Sequence, residues 1–184
     1  MQNERRTDSR DDQMKLASLE AIVEAFNRAE VRFIVVGGIA VIAHGYGRNT
    51  EDVDLVIRLE PTAISNAFAA LQKLGYQPRV PITAAQFADA DLRAEWIRDK
   101  GMQVLTFHSD VHRETPVDLF ISEPFDFEQE YESALVQEIA PGLPIRIVSL
   151  EALLRMKMVA GRSQDLADVD ELNLLHGRKS SYDR

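Results

Sequence analysis

The chain has 184 residues, 21 basic and 30 acidic, for a formal net charge of −9; 45% of its residues are apolar and 28% charged. This is the balance of one globular domain with a sizeable core, and the acidity argues against coating nucleic acid or an anionic membrane, each of which needs a basic face. The absence of cysteine excludes disulfides, thiol catalysis and cysteine-held zinc or iron–sulfur centres.

No run approaches the roughly 18 apolar residues of a membrane span. The opening MQNERRTDSRDDQ lacks the apolar centre of a signal peptide, so a cytoplasmic protein is expected. Residues 1–13 read as a disordered polar tail, residues 14–176 as a single domain whose part from about 149 is helical, and residues 177–184 as a second tail.

In chain order, Leu16, Leu19, Ile22, Val23 and Phe26 recur at helical spacing and predict a helix from about Lys15 to Ala29. Val31–Val36 is a β-branched run apolar on both faces, a buried strand that stops at Gly37-Gly38. Ile39–Ala43 predicts a short helix closed by Gly45 or Gly47, and Asp52–Ile57 the next strand. Pro61 suits the first turn of a helix through Leu74 that Gly75 ends. One or two helices, including Trp96 as a core anchor, are expected between Pro81 and Lys100. Strands follow at Met102–Phe107, Val117–Ile121 and Leu143–Val148. Ser149 is a suitable N-cap for a helix Leu150–Ala160 and Ser163 for a last helix through Leu175. The expected fold is α+β: a mixed sheet flanked by helices and closed by two C-terminal helices.

The chemistry concentrates in Val35–Ile57, VVGGIAVIAHGYGRNTEDVDLVI. Residues two apart on a strand face the same way, so Asp52 and Asp54 aim both carboxylates at one spot while Val53 and Leu55 face the core. Like charges at that range repel, and a divalent cation with a taste for hard oxygen, Mg²⁺ or Mn²⁺, relieves them. A strand ending in Gly-Gly and opening a helix leaves backbone N–H groups free, and missing side chains allow an anion to approach closely. Together the two halves suggest a nucleoside triphosphate (NTP) with its metal. No GxGxxG or GxxxxGK[ST] pattern is present, which removes the Rossmann and P-loop readings.

The stretch resembles the DNA polymerase β-like nucleotidyltransferase superfamily, whose members share a Gly-Gly or Gly-Ser turn, a short helix, an Asp-x-Asp strand and a third carboxylate on a later strand. Here the turn is Gly37-Gly38, the pair Asp52 and Asp54, and the third acid Asp118 in PVDLFI. Gly37, Gly38, Ala40, His44, Gly45, Arg48, Thr50, Asp52 and Asp54 are most similar to the small AbiEii-toxin-like and antibiotic-modifying branches. Lys157, Arg162 and Asp165 resemble the Lys-and-Asp helices of the former. Gly38 stands where many members carry Ser, so a hydroxyl contact to phosphate is missing.

The resemblance implies transfer of a nucleoside monophosphate (NMP) from an NTP, such as ATP, to a hydroxyl acceptor by a two-metal mechanism. Asp52, Asp54 and Asp118 would be the catalytic acids and metal ligands. Gly37, Gly38, Arg48, Thr50, Lys157 and Arg162 would surround the nucleotide. Arg48 has a rival reading as a surface partner of Glu51, and Lys157 as a snorkelling helix residue. His44 reads as a packed residue, and His108 and His112, flanking Asp110, as a loop beside the cleft rather than a zinc site.

Two acceptors stay open. A small molecule such as an aminoglycoside would suit an acidic cleft. A tRNA end would need a basic track, for which Arg146, Arg155, Lys157, Arg162, Arg178 and Lys179 are the candidates. A cognate regulatory protein, as in toxin–antitoxin pairs, is a further implied partner. The competing reading is a catalytically silent module of the same fold, favoured if the cleft is filled or if Asp118 lies out of metal-bridging reach of Asp52 and Asp54.

Overall fold

A computed structural model describes residues 9–178. Of the tails expected at 1–13 and 177–184, residues 1–8 and 179–184, Lys179 among them, lie outside the described residues. Helix α1 (Ser9–Arg28) starts well before the expected Lys15 and takes in residues 9–13, which were expected in the tail. The chain then runs through β1 (Phe33–Val35), α2 (Gly37–Ala43), β2 (Val53–Ile57), α3 (Pro61–Lys73), β3 (Tyr76–Pro78), α4 (Ala84–Ala88) and α5 (Ala90–Lys100). It continues as β4 (Val104–Ser109), β5 (Val117–Phe120), α6 (Phe127–Ser133), β6 (Leu135–Ala140), β7 (Leu143–Ile147), α7 (Leu150–Ala160) and α8 (Ser163–Leu175).

Among the described residues, seven strands form one mixed sheet in the order β3-β4-β5-β2-β1-β7-β6. The central pair β2/β5 and the pair β1/β7 are parallel; the other neighbours are antiparallel. Register carries the core across the sheet: Val35 lies opposite Leu55, Leu55 opposite Leu119, and Leu119 opposite Leu105. All four are fully buried. Because side chains alternate, the next residue of each strand belongs to the other face. That second row holds the polar residues of interest.

The local signals behave as their chemistry predicts. Pro61 sits in the first turn of α3, and the Ser149 hydroxyl accepts from the Ala152 N–H at the start of α7. Asp89 accepts from Asp91 and Leu92 N–H and so begins α5 directly after α4, which makes two helices of the Ala-rich segment. Ser163 is not a cap: it is the first residue of α8, and Arg162 occupies the N-cap without a side-chain bond. Three elements went unread in the sequence, β3, α6 and β6. The first has three residues, and β6 is an edge strand with exposed Leu135 and Val136, so neither shows the burial periodicity that marks an element.

Candidate active site

Val36, extended, ends β1, and its N–H donates to the Asp54 carbonyl at 3.0 Å, so the chain enters α2 directly beside Asp54. Gly37 has φ +63°, and a Cβ there would overlap Oδ2 of Asp54. At Gly38 a Cβ would overlap the Thr50 side chain and lie 3.1 Å from Arg48 Nη2. The glycines therefore make room for Asp54, Thr50 and Arg48. The space expected for an anion at the missing side chains is already filled by the protein. Asp54 in turn accepts the Gly38 N–H, so the start of α2 faces a carboxylate.

Asp54 lies in register with Asp118 on the parallel neighbour β5, and adjacent strands run about 4.8 Å apart. Asp52, two residues earlier, shares their face. Burial raises Asp54 to about 6, and the charges of Asp118 and Asp52 add to the shift; the Gly38 N–H and Lys157 oppose it. Asp52 is also raised, first by burial, then by Asp118 and Glu51, against Arg79 and Arg162. One oxygen stands out. Asp118 Oδ1 is buried with no hydrogen-bond partner, a state costly for a carboxylate unless something else satisfies it. Hard oxygens on adjacent strands, mutually repelling and with one lone acceptor, fit a divalent cation. As they stand, the three side chains do not converge into a ready-made ligand set: among the described residues no three Asp, Glu or His do.

The same row continues outward. Thr106 of β4 lies opposite Asp118, and the Arg79 N–H donates to the Thr106 carbonyl at 2.8 Å, which puts exposed Arg79 on the face of the acids. Sequence reasoning missed Arg79, since nothing in QPRV marks it. Only the antiparallel pairing of β3 with β4 brings it there.

The C-terminal helices hold a buried ionic cluster. Lys157, 6% exposed, donates to Asp165 Oδ1 at 3.0 Å and to Asp168 Oδ2 at 2.7 Å. Arg162 Nε donates to Asp165 Oδ2 at 2.6 Å. Arg48 Nε reaches to 3.0 Å of Asp168 Oδ1, an ion pair whose angle is not that of a hydrogen bond. Burial pushes Asp165 up, but the bonds from Arg162 and Lys157 outweigh it and hold the group below the usual range.

Two expectations change accordingly. Arg48 pairs with Asp168, not Glu51. Lys157 neither snorkels nor presents its ammonium to open solvent; it anchors α7 to α8 within electrostatic reach of Asp54. Arg162 keeps an exposed side chain and acts on both Asp52 and Asp54. Asp168, the fully buried hub, was not singled out in the sequence, although its spacing from Asp165 puts both on one face of a helix.

Three histidines make structural contacts, and His108 lies exposed on β4 rather than in the expected loop. His44 Nε2 bonds the Val148 carbonyl at 2.8 Å, and His176 Nε2 the His44 carbonyl at 2.9 Å, tying α2 to the end of α8. His112 stacks on Tyr76 and bonds Ser18 at 2.9 Å. Of the candidate basic track, Arg155 and Arg178 both pair with Glu151, and Arg146 lies over the Tyr131 ring and donates to its carbonyl. No described helix is long and apolar enough to cross a membrane.

A family model described as "Nucleotidyltransferase of unknown function (DUF6036)" matches residues 14–178. No curated protein matches the chain. Among solved structures, the antibiotic-resistance factor ANT(2'')-Ia in solution is similar at TM-score 0.58 and 15% identity, over 90% of this chain and 86% of that one. The same factor in complex with adenylyl-2''-tobramycin gives 0.56 and 13%, over 88% and 89%. An antigenic nucleotidyltransferase-like protein from Paracoccidioides brasiliensis gives 0.53 and 19%, over 88% and 76%. At these identities the likeness is one of fold.

Proposed function

The chain belongs to this family of nucleotidyltransferases, and on that premise we propose that it transfers an NMP group from an NTP to a hydroxyl on a small-molecule acceptor, with Mg²⁺ or Mn²⁺ held by Asp52, Asp54 and Asp118. The observation that carries the reading is the buried, unpartnered Asp118 Oδ1, in register with Asp54. Bound there, divalent ions supply charge neutralisation and polarise the phosphoryl oxygens.

The chain's own residues do the rest. Asp118 accepts the proton of the attacking hydroxyl as its oxygen bonds to the α-phosphorus; the α–β phosphoanhydride bond breaks and pyrophosphate leaves. Arg162 and Arg79, exposed and both within electrostatic reach of Asp52, offset charge on the phosphates. Arg48, held by Asp168 beside Thr50 and Gly38, keeps the turn closed around Asp54. Lys157 supports that arrangement from below and contributes through its field.

A small acceptor suits this surface better than tRNA. The net charge is −9, and Arg155 and Arg178 are spent on Glu151. The register of Asp118 with Asp54 counts against a silent module. In the deciding experiment the protein is incubated with each labelled NTP and Mg²⁺, with small-molecule extract or with purified tRNA. Label on a small molecule, lost in Asp54→Asn, supports the reading; absence of metal-dependent NTP binding removes it.

A further inference from the structure

A cavity among the described residues lies away from the acids. It has a volume of about 460 Å³ and lies at the C-terminal ends of the parallel pair β2/β5, where Arg58 and Ile121 meet the Arg93, Ala94 and Ile97 side of α5. Arg58 is four residues beyond Asp54, roughly 13 Å along the strand. The volume is that of a small-ligand site.

One residue in its wall ties α5 to α4 and still has donors to spare. Arg93 occupies the helix stripe Ala90, Arg93, Ala94 and Ile97, is only 9% exposed, and makes one hydrogen bond, from Nη1 to the Phe87 carbonyl at 2.6 Å. It has no ion pair with any described carboxylate. A guanidinium has five N–H donors and cannot shed its charge, so a nearly buried cation with most of its fork unused lines an open space. Burial lowers its pKa, and the charges of Asp89 and Glu123 only partly offset this.

The neighbouring cation is not in the same state. Arg58 pairs with Glu60 at 3.1 Å and with Glu123 at 3.2 Å, while the other Glu123 oxygen accepts the Leu59 N–H at 2.9 Å. The charges lining the cavity sum to zero, Arg58 and Arg93 against Glu60 and Glu123, but they are unevenly shared: Arg58 takes both carboxylates in ion pairs and leaves the Arg93 fork without one. A single planar anion fits the free donors of Arg93; a dianion would meet Glu60 and Glu123 with its second charge.

We propose that this cavity is a second ligand site, separate from the nucleotidyl-transfer site, which takes a small monocarboxylate: its carboxylate lies on the Arg93 fork and its short apolar body against Ala94, Ile97 and Ile121. The site needs no nucleotide and stands whether or not the chain transfers one.

The test is an NMR titration of the full chain with 3-methylbutanoate, its neutral amide and inorganic phosphate. Saturable shifts of the amide signals of 90–97 and 121–123 by the carboxylate are expected, with the neutral amide roughly tenfold or more weaker, as loss of a charge-assisted contact implies. Arg93→Met should weaken carboxylate binding by a similar factor. Ala94→Phe, at an exposed position that overlooks the cavity, should abolish it and leaves the test intact if Arg93→Met does not fold. Equal binding of acid and amide, tighter binding of phosphate, or shifts confined to residues 52–54 and 118 would overturn the proposal.

Discussion

Asp54→Asn should make the metal-free protein more stable at neutral pH while removing its response to metal. The folded state raises Asp54 from 3.8 to about 6, so it binds that proton more tightly than the unfolded chain does. Where the native state holds more protons, stability falls as pH rises. The penalty is absent below pH 3.8, grows between 3.8 and about 6, and is complete above. Two units at about 1.4 kcal/mol each set an upper limit of about 3 kcal/mol. Because burial and the charges of Asp118 and Asp52 are only partly relieved by the substitution, about 1–3 kcal/mol is the expected gain. Asparagine is nearly isosteric and keeps an acceptor for the Gly38 N–H. For a chain of this size the gain corresponds to about 3–10 °C in Tm. The assay is thermal unfolding in EDTA from pH 4.5 to 8 for both proteins, repeated with excess Mg²⁺. The variant should pull ahead as pH rises, and the order should reverse with metal, which stabilises only the wild type by mass action. A variant less stable than wild type at pH 8 in EDTA, or a difference that does not change with pH, would refute the reasoning.

Gly37→Ala combines a left-handed φ with overlap on Asp54 Oδ2; a loss of at least about 2 kcal/mol in urea unfolding is expected, with loss of metal-dependent NTP binding. Asp168→Ala leaves Lys157 and Arg48 without their shared carboxylate and should cost about 3–5 kcal/mol, read by the same unfolding curves, while Asp168→Asn costs less. Ser149→Ala removes the cap of α7 and should cost about 1 kcal/mol without altering transfer kinetics. Arg155→Glu with Arg178→Glu should leave transfer to a small acceptor unchanged within about twofold, since both guanidiniums sit on exposed Glu151 pairs; a large loss would point to an extended polyanionic acceptor.

Much of the architecture was legible because it rests on local chemistry. The β-branched run Val31–Val36 marks a buried strand, which the structure confines to Phe33–Val35. Gly75 and Gly161 end α3 and α7 with the positive φ that glycine favours. The acid pair was legible for the same reason: alternation along one strand puts Asp52 and Asp54 together whatever the rest of the chain does. Asp118 needed more. Its strand composition was visible, but its place beside Asp54 depends on the parallel pairing of β5 with β2.

What the sequence by itself determined is most of the elements, all but β3, α6 and β6, and the shared face of Asp52 and Asp54, since periodicity, caps and the Asp-x-Asp alternation act within a few residues. Tertiary structure alone decided who meets whom. It set Arg79 in the row of the acids through β3 and β4, turned Lys157 inward onto Asp165 and Asp168, and gave Arg48 to Asp168 across 120 residues of chain. It also left Arg93 nearly buried with a single bond. Each is a choice of partner for a charge, and such a choice depends on register and helix packing, which no short stretch of sequence encodes.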